Sequence, residues 1–190
     1  MKRYLVLALI ALLFAPELPA QNHGEVGVFV NYFRFEPLDL NMVGLGGRVS
    51  FNVHENVQFE AEMAYDFARG FTETCSACIP VETAPSDFRV LHGLFGPKFQ
   101  TGGGAIRAFF TVKGGFINFR VSDKPVTFGN VFSDIESLRV NDVNGVLYPG
   151  GGLEFFAGPF GLRFDIGDEI YFLDGAQHNL RITAGPHIRF

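Results

Sequence analysis

The sequence predicts an all-β protein, an eight-stranded antiparallel up-and-down barrel, and three observations carry that reading. Apolar and polar residues alternate with a period of two in segment after segment beyond residue 20. The joints between these segments are tight and longer by turns, as when successive hairpins emerge at opposite ends of a barrel. The composition couples 23 Phe and 23 Gly with no Trp, which suits strands rich in turns and close approaches.

The front end reads as an export signal. Met1-Lys2-Arg3 is a basic start, Tyr4 to Phe14 is an apolar run, and Pro16 to Ala20 ends in a small residue, so cleavage is expected after Ala20. The run is too short to cross a membrane as a helix. No Cys follows it closely, which argues against a lipid-anchored N-terminus. Residues 1–20 are therefore read as a signal peptide and 21–190 as one β-barrel domain. Losing Lys2, Arg3 and Glu17 takes the formal charge from −5 to −6, so no nucleic-acid partner is expected. No linker, repeat or low-complexity block divides the chain.

Eight strands are expected, at about 24–35, 42–53, 57–67, 87–100, 105–119, 146–157, 161–173 and 178–190. In the second, Val43, Leu45, Val49 and Phe51 alternate with Gly44, Gly46, Arg48, Ser50 and Asn52. In the third, Val57, Phe59, Ala61, Met63, Tyr65 and Phe67 face one way, and Gln58, Glu60, Glu62 and Asp66 the other. In the last, Leu180, Ile182, Ala184, Ile188 and Phe190 oppose Arg181, Thr183, His187 and Arg189. The joints at 54–56, 101–104 and 157–160 are tight, those at 36–41 and 174–177 moderate, and those at 68–86 and 120–145 long and polar. The glycines at 44, 46, 47 and 150–152 lie inside strands, where they permit bending and close packing. No helix follows either cluster, so a phosphate loop is not expected.

Two loop features have local explanations. Cys75 and Cys78, in Cys-Ser-Ala-Cys, are read as a small disulfide in an exported protein. Such a short ring adds little global stability. The redox and zinc alternatives lack a βαβ context and a second ligand pair. Ser133-Asp-Ile-Glu136 has the form of a capping box before a short helix. Asn141-Asp-Val-Asn-Gly145 is read as a turn, because the ligand ladder of a calcium loop is missing. No metal or cofactor is expected.

Alternation by itself fits a soluble lipocalin-like barrel with its apolar face inward or a membrane barrel with that face outward. Export, near-spanning strand lengths, alternating joints and the terminal Phe190 favour a transmembrane barrel in lipid. Aromatics at strand ends would form two belts: Tyr32, Phe33, Phe35, Tyr65, Phe67, Phe116, Phe119, Tyr171 and Phe172 at the long-loop rim, and Phe51, Phe155, Phe160 and Phe190 at the other. The inward face then carries Arg48, Glu60, Glu62, Lys98, Lys113, Glu154, Arg163, Asp165, Arg181 and Arg189. An eight-stranded barrel is only wide enough for side chains to fill, so these charges are expected to pair as a plug, with Glu154 meeting Arg163 or Arg181.

Several stretches, taken in order, resemble the outer membrane β-barrel domain family, whose broader relatives include the transmembrane domain of outer-membrane protein A and the opacity-type proteins. They are Val43-Gly-Leu-Gly-Gly-Arg-Val49, Val112-Lys-Gly-Gly-Phe-Ile-Asn-Phe-Arg120, Pro149-Gly-Gly-Gly-Leu-Glu-Phe155, Leu162-Arg-Phe-Asp-Ile-Gly-Asp-Glu-Ile-Tyr-Phe172 and the terminal Phe190. The resemblance implies a Gram-negative outer-membrane location. It also implies periplasmic chaperones and the barrel assembly machinery as partners, with Phe190 as part of an insertion signal. No peptidoglycan-binding domain follows the barrel, so a cell-wall tether is not implied.

Function is read first as a non-enzymatic envelope anchor displaying its long loops; its role stays open between adhesion, envelope integrity and small-solute leakage, and the ligand of the loops is unknown. A lipid A-modifying enzyme is the alternative among barrels. It needs a nucleophile and base near the outer leaflet, for which His178 and the loop residues Ser122, Ser133 and Ser137 are the material at hand. A soluble carrier of a hydrophobic ligand is the third reading.

Overall fold

The computed structural model describes residues 23–75, 82–101, 104–123, 143–173 and 175–190, with backbone alone at Leu38, 71–75, 82–86 and 121–123. The strands are β1 (Gly24–Phe35), β2 (Leu40–His54), β3 (Val57–Cys75), β4 (Glu82–Gln100), β5 (Ile106–Asp123), β6 (Val143–Ala157), β7 (Phe160–Asp168), β8 (Ile170–Phe172), β9 (Ala176–Gln177) and β10 (Leu180–Arg189). Neighbours in the sheet run β5-β4-β3-β2-β1-β10-β7-β6, all antiparallel, and β5 pairs again with β6. That last pairing closes the sheet and removes its edges. Since β8 continues β7 along β6, the wall has eight staves, as the alternation predicted.

The seam joins the first strand to the last. β1 pairs with β10 from Glu25↔Arg189 to Arg34↔Leu180. The Phe190 carbonyl accepts from the amides of His23 and Gly24 at 2.8 and 3.0 Å, and the Phe190 amide donates to Gly24 at 3.0 Å. The chain's last peptide groups are thus part of the wall, while the Phe190 ring stays exposed.

The longer joints differ from expectation. Residues 68–75 and 82–86, read as loop, continue β3 and β4 as a paired ribbon from Arg69↔Phe88 to Cys75↔Glu82. A register shift between Asp66 and Arg69 breaks the period-two pattern there. Beyond that shift the sequence no longer alternates apolar with polar residues, so the period-two signal no longer marks strand. The other long joint shrinks in the same way, with β5 reaching Asp123 and β6 starting at Val143. The seventh stave is interrupted at Glu169, whose amide donates to the Asn179 carbonyl at 2.8 Å. The signal segment, the 133–136 helix and Cys78 lie outside the described residues, and Cys75 is described by its backbone only.

The two faces of the wall are inverted relative to a water-soluble fold. Val28, Val43, Leu45, Val49, Phe95, Phe110, Phe164 and Ile166 stand exposed around the outside. Inside, buried polar and charged groups outnumber apolar ones in the half nearer the termini, and an apolar cluster fills the half nearer the long loops.

That cluster corrects the aromatic belt. Phe33, Phe35, Phe119 and Tyr171 point inward and are 0 to 2 % exposed, packed with Met42, Phe88 and Val146. Phe35 lies 5.0 Å from Phe88 and 5.2 Å from Phe119, ring centre to ring centre. Strand-end position marks the rim but parity decides the face, and these four share parity with the lumenal charges. Tyr65, Phe67 and Phe172 at one rim, and Phe51, Phe155, Phe160 and Phe190 at the other, do stand outward.

Candidate functional site

The inward parity of all eight staves carries the ionisable groups to one axis. Near the termini, Glu154 on β6 accepts from Lys98 on β4 at 2.6 Å and pairs with Arg107 on β5 at 2.8 Å. Lys98 reaches Glu25 on β1 at 3.4 Å, Arg107 also pairs with Glu25, and Gln58 donates to the same carboxylate at 3.0 Å. Arg163 on β7 links this layer to the next, lying 3.5 Å from Glu154 and forking onto Glu60, with its second contact at 3.1 Å.

In the middle layer Arg163 also meets Asp165 at 2.6 Å, and Asp165 accepts from the Tyr148 hydroxyl at 2.6 Å. Arg48 stands 3.5 Å from Asp165 and donates to Thr183 at 2.8 Å. Lys113 bridges Glu60 and Glu62, and Glu62 accepts from Arg181 at 2.8 Å. Gly150 and Gly167 flank the Tyr148 ring, where an added Cβ would stand 2.7 and 2.6 Å from ring carbons. Room for the aromatic therefore requires glycine on both strands.

The layer below the apolar cluster turns on His92. Its Nδ1 lies 2.6 Å from Glu169 Oε1 and its Nε2 lies 2.8 Å from Asp66 Oδ2. Ionised carboxylates only accept, so the ring satisfies both contacts by donating from both nitrogens, as an imidazolium. Asn31 donates to Asp66 at 2.7 Å and accepts from Arg181 Nε at 2.7 Å, and Arg181 closes the circuit to Glu169 at 3.3 Å.

Charge balances along this chain of contacts. Among the described residues the buried carboxylates are Glu25, Glu60, Glu62, Asp66, Glu154, Asp165 and Glu169, against Arg48, Lys98, Arg107, Lys113, Arg163 and Arg181. Seven negative groups face six permanent cations, and imidazolium at His92 supplies the seventh positive charge. Three inward phenylalanines interleave the cations: Arg48 stacks 4.2 Å over Phe29, Arg163 4.0 Å over Phe109 and Arg107 4.2 Å over Phe156.

The structure brings together Arg48, Glu60, Glu62, Lys98, Lys113, Glu154, Arg163, Asp165 and Arg181. It leaves Arg189 outside. Arg189 sits half-buried at the rim, donates Nε to the Gly158 carbonyl at 3.0 Å and stacks over Phe156, with no ion pair among the described residues. Glu154 faces Arg163 in register, whereas Arg181 lies further along the barrel opposite Gly167 and takes Glu62 and Glu169 instead. Glu25, Asp66, His92, Arg107 and Glu169 complete the network; the sequence placed Asp66 on the polar face of its strand, but none of the five was counted among the lumenal ion pairs. Parity could have found Glu25 and Arg107, each inward on its own strand. Glu169 is hidden by the break between β7 and β8.

Glu25, Glu154 and His187 place one ligand-type atom each within 4.8 Å of one another. Lys98 and Arg107 already occupy both carboxylates, so the trio offers a metal ion no unneutralised charge. At the loop rim, exposed His178 turns Nδ1 to Asp168 at 2.5 Å. Ser133 and Ser137 lie outside the described residues, and Ser122 is described by its backbone only.

No family model and no curated relative matches the chain. Solved structures do match. The attachment invasion locus protein Ail of Yersinia pestis, in complex with the heparin analogue sucrose octasulfate, superposes with a TM-score of 0.53 at 19% identity, covering 88% of this chain and 97% of that one. Neisserial surface protein A gives 0.55 at 9% identity, with 88% and 96% covered. The chain has the fold of the eight-stranded outer-membrane β-barrels. The N-terminal barrel domain of Pseudomonas aeruginosa OprF agrees, at 0.53 and 12% identity over 90% of this chain and 98% of that one. At these identities the likeness is one of fold.

Proposed function

We propose that the chain is a non-enzymatic integral outer-membrane barrel that anchors and displays its long loops, with a lumen plugged by ion pairs and aromatic rings. The inversion of its faces carries this reading. Large apolar side chains ring the outside with no protein to cover them, and charges fill the inside. Water would reverse both preferences, and lipid satisfies both. A soluble carrier would need an apolar chamber, but Arg107, Arg181, Lys98, Lys113, Tyr148 and Phe33 are among the side chains that fill the axis.

On this reading residues 1–20 direct export, the Phe190-terminated strand is presented to the assembly machinery after chaperone transit, and the Cys75–Cys78 bridge staples the tip of the β3–β4 ribbon. Fractionation with an unheated-versus-boiled gel shift tests it, with a Phe190 deletion alongside. Outer-membrane location, a heat-dependent shift and poor assembly of the deletion are expected. A soluble product that shows no shift overturns the reading.

One observation favours a second reading. The Asp168 contact orients His178 from Nδ1, as a carboxylate orients the base in acyl-transfer sites. Among the described residues no serine is in hydrogen-bond contact with His178, so the enzyme reading rests on a loop residue supplying the nucleophile. Loss of an acyl chain from lipid A on expression, abolished by His178→Ala, would establish it.

A further inference from the structure

The outer wall near the long loops carries a feature that neither lipid anchoring nor the lumen explains. Arg89 on β4 and Arg120 on β5 are direct register partners, and both lie on the outward face. Like charges placed opposite each other across a ladder repel. The same pair lines a pocket of about 110 Å³ with Tyr65, Val90, Leu91 and Asn118. Arg89 Nε is buried there with no hydrogen-bond partner. Among the described residues neither arginine makes an ion pair, in contrast to Arg34 at the same end, which is neutralised by Glu36 at 3.0 Å and Asp39 at 2.9 Å. Among the described residues the nearest outward carboxylate on β4, Asp87, is one step further from the bilayer than Arg89, so these three groups together keep one positive charge.

Depth identifies the occupant. Outward on β4, Phe99, Phe95 and Leu91 mark the apolar band. From Phe99 to Leu91 the strand rises about 27 Å, or about 20 Å along the membrane normal at a tilt near 40°, and Arg89 adds about 5 Å. The arginines therefore lie where a band of about 25 Å ends and headgroups begin. Tyr65 and Leu91 give the pocket an apolar lower wall, facing acyl chains, beneath a cationic upper one.

We propose that Arg89 and Arg120 form a binding site on the barrel's outer wall for the phosphate of an outer-leaflet glycolipid. Two guanidinium forks can share one phosphate, which removes their mutual repulsion and satisfies Arg89 Nε. A lipid phosphate is held at this depth by its own acyl chains, whereas a soluble anion is not. The inference rests on the outer-membrane reading above.

The test uses the full chain folded in detergent micelles, with native mass spectrometry counting bound bisphosphorylated lipid A. Heat-shift gels establish that each variant is a folded barrel, so a protein that never inserts is recognised as a failure of the membrane reading itself. Wild type is expected to retain lipid A, the Arg89→Gln, Arg120→Gln double variant to hold it about tenfold more weakly, and Arg34→Gln to match wild type. Dephosphorylated lipid A should bind all three equally weakly. Undiminished binding by the folded double variant overturns the proposal, as does equal retention of the dephosphorylated lipid. Equal affinity for the soluble glucosamine bisphosphate headgroup would overturn the lipid assignment.

Discussion

Glu60 shows what a single lumenal side chain does. It is 1 % exposed and holds both the Arg163 fork and Lys113. Replacing it with Gln leaves two buried cations short of a partner, and breaking a buried pair in this way costs about 3–5 kcal/mol. Glu60→Gln is therefore expected to lower urea stability in lipid vesicles by that order. Arg189→Ala, which removes a rim hydrogen bond to the Gly158 carbonyl and a stack over Phe156, should cost only about 1–2 kcal/mol in the same assay. His92→Phe adds a further check: it leaves Asp66 and Glu169 facing each other's field without the intervening cation, and should destabilise by about 3 kcal/mol or more. At this scale the sequence shows parity but not partners. Glu60 and Arg163 lie 103 residues apart and meet only because the sheet closes.

Each strand has a face to keep, and β2 is the clearest instance. Val49 stands outward at the depth of Phe95, in the middle of the apolar band, to which it is linked in register through Ala61, and is about half exposed. In lipid a cation there costs about 2–4 kcal/mol, falling to about 0–1 near the interface. Val49→Arg is thus expected to reduce folding yield into vesicles sharply, and Asn41→Arg, at the end of the strand, to leave it nearly unchanged. Strand faces were legible because lipid contact imposes period two. Strand ends were legible at β1, whose bounds match the reading, and not in β3 or β4, where a register shift interrupts the alternation. The aromatic plug was misassigned for a related reason. Phe33 and Phe35 look like rim residues by position, and the interior they fill exists only once eight strands have curved around it.

At the scale of the whole molecule the lumen is occupied along its length, by a neutral ion-pair network at one end and packed rings at the other. Planar-bilayer recording is expected to show no large stable conductance steps from the purified barrel. Steps of porin size would contradict a filled lumen. Strand number, outward face and inward charge all follow from the order of residues, since each is a local pattern that one environment imposes on a short segment. Which carboxylate meets which cation, that His92 supplies the balancing charge, and that Arg89 and Arg120 share one patch of outer wall follow from register and closure. Those are properties of the closed sheet, set by hydrogen bonds between strands far apart in sequence, and no local pattern encodes them.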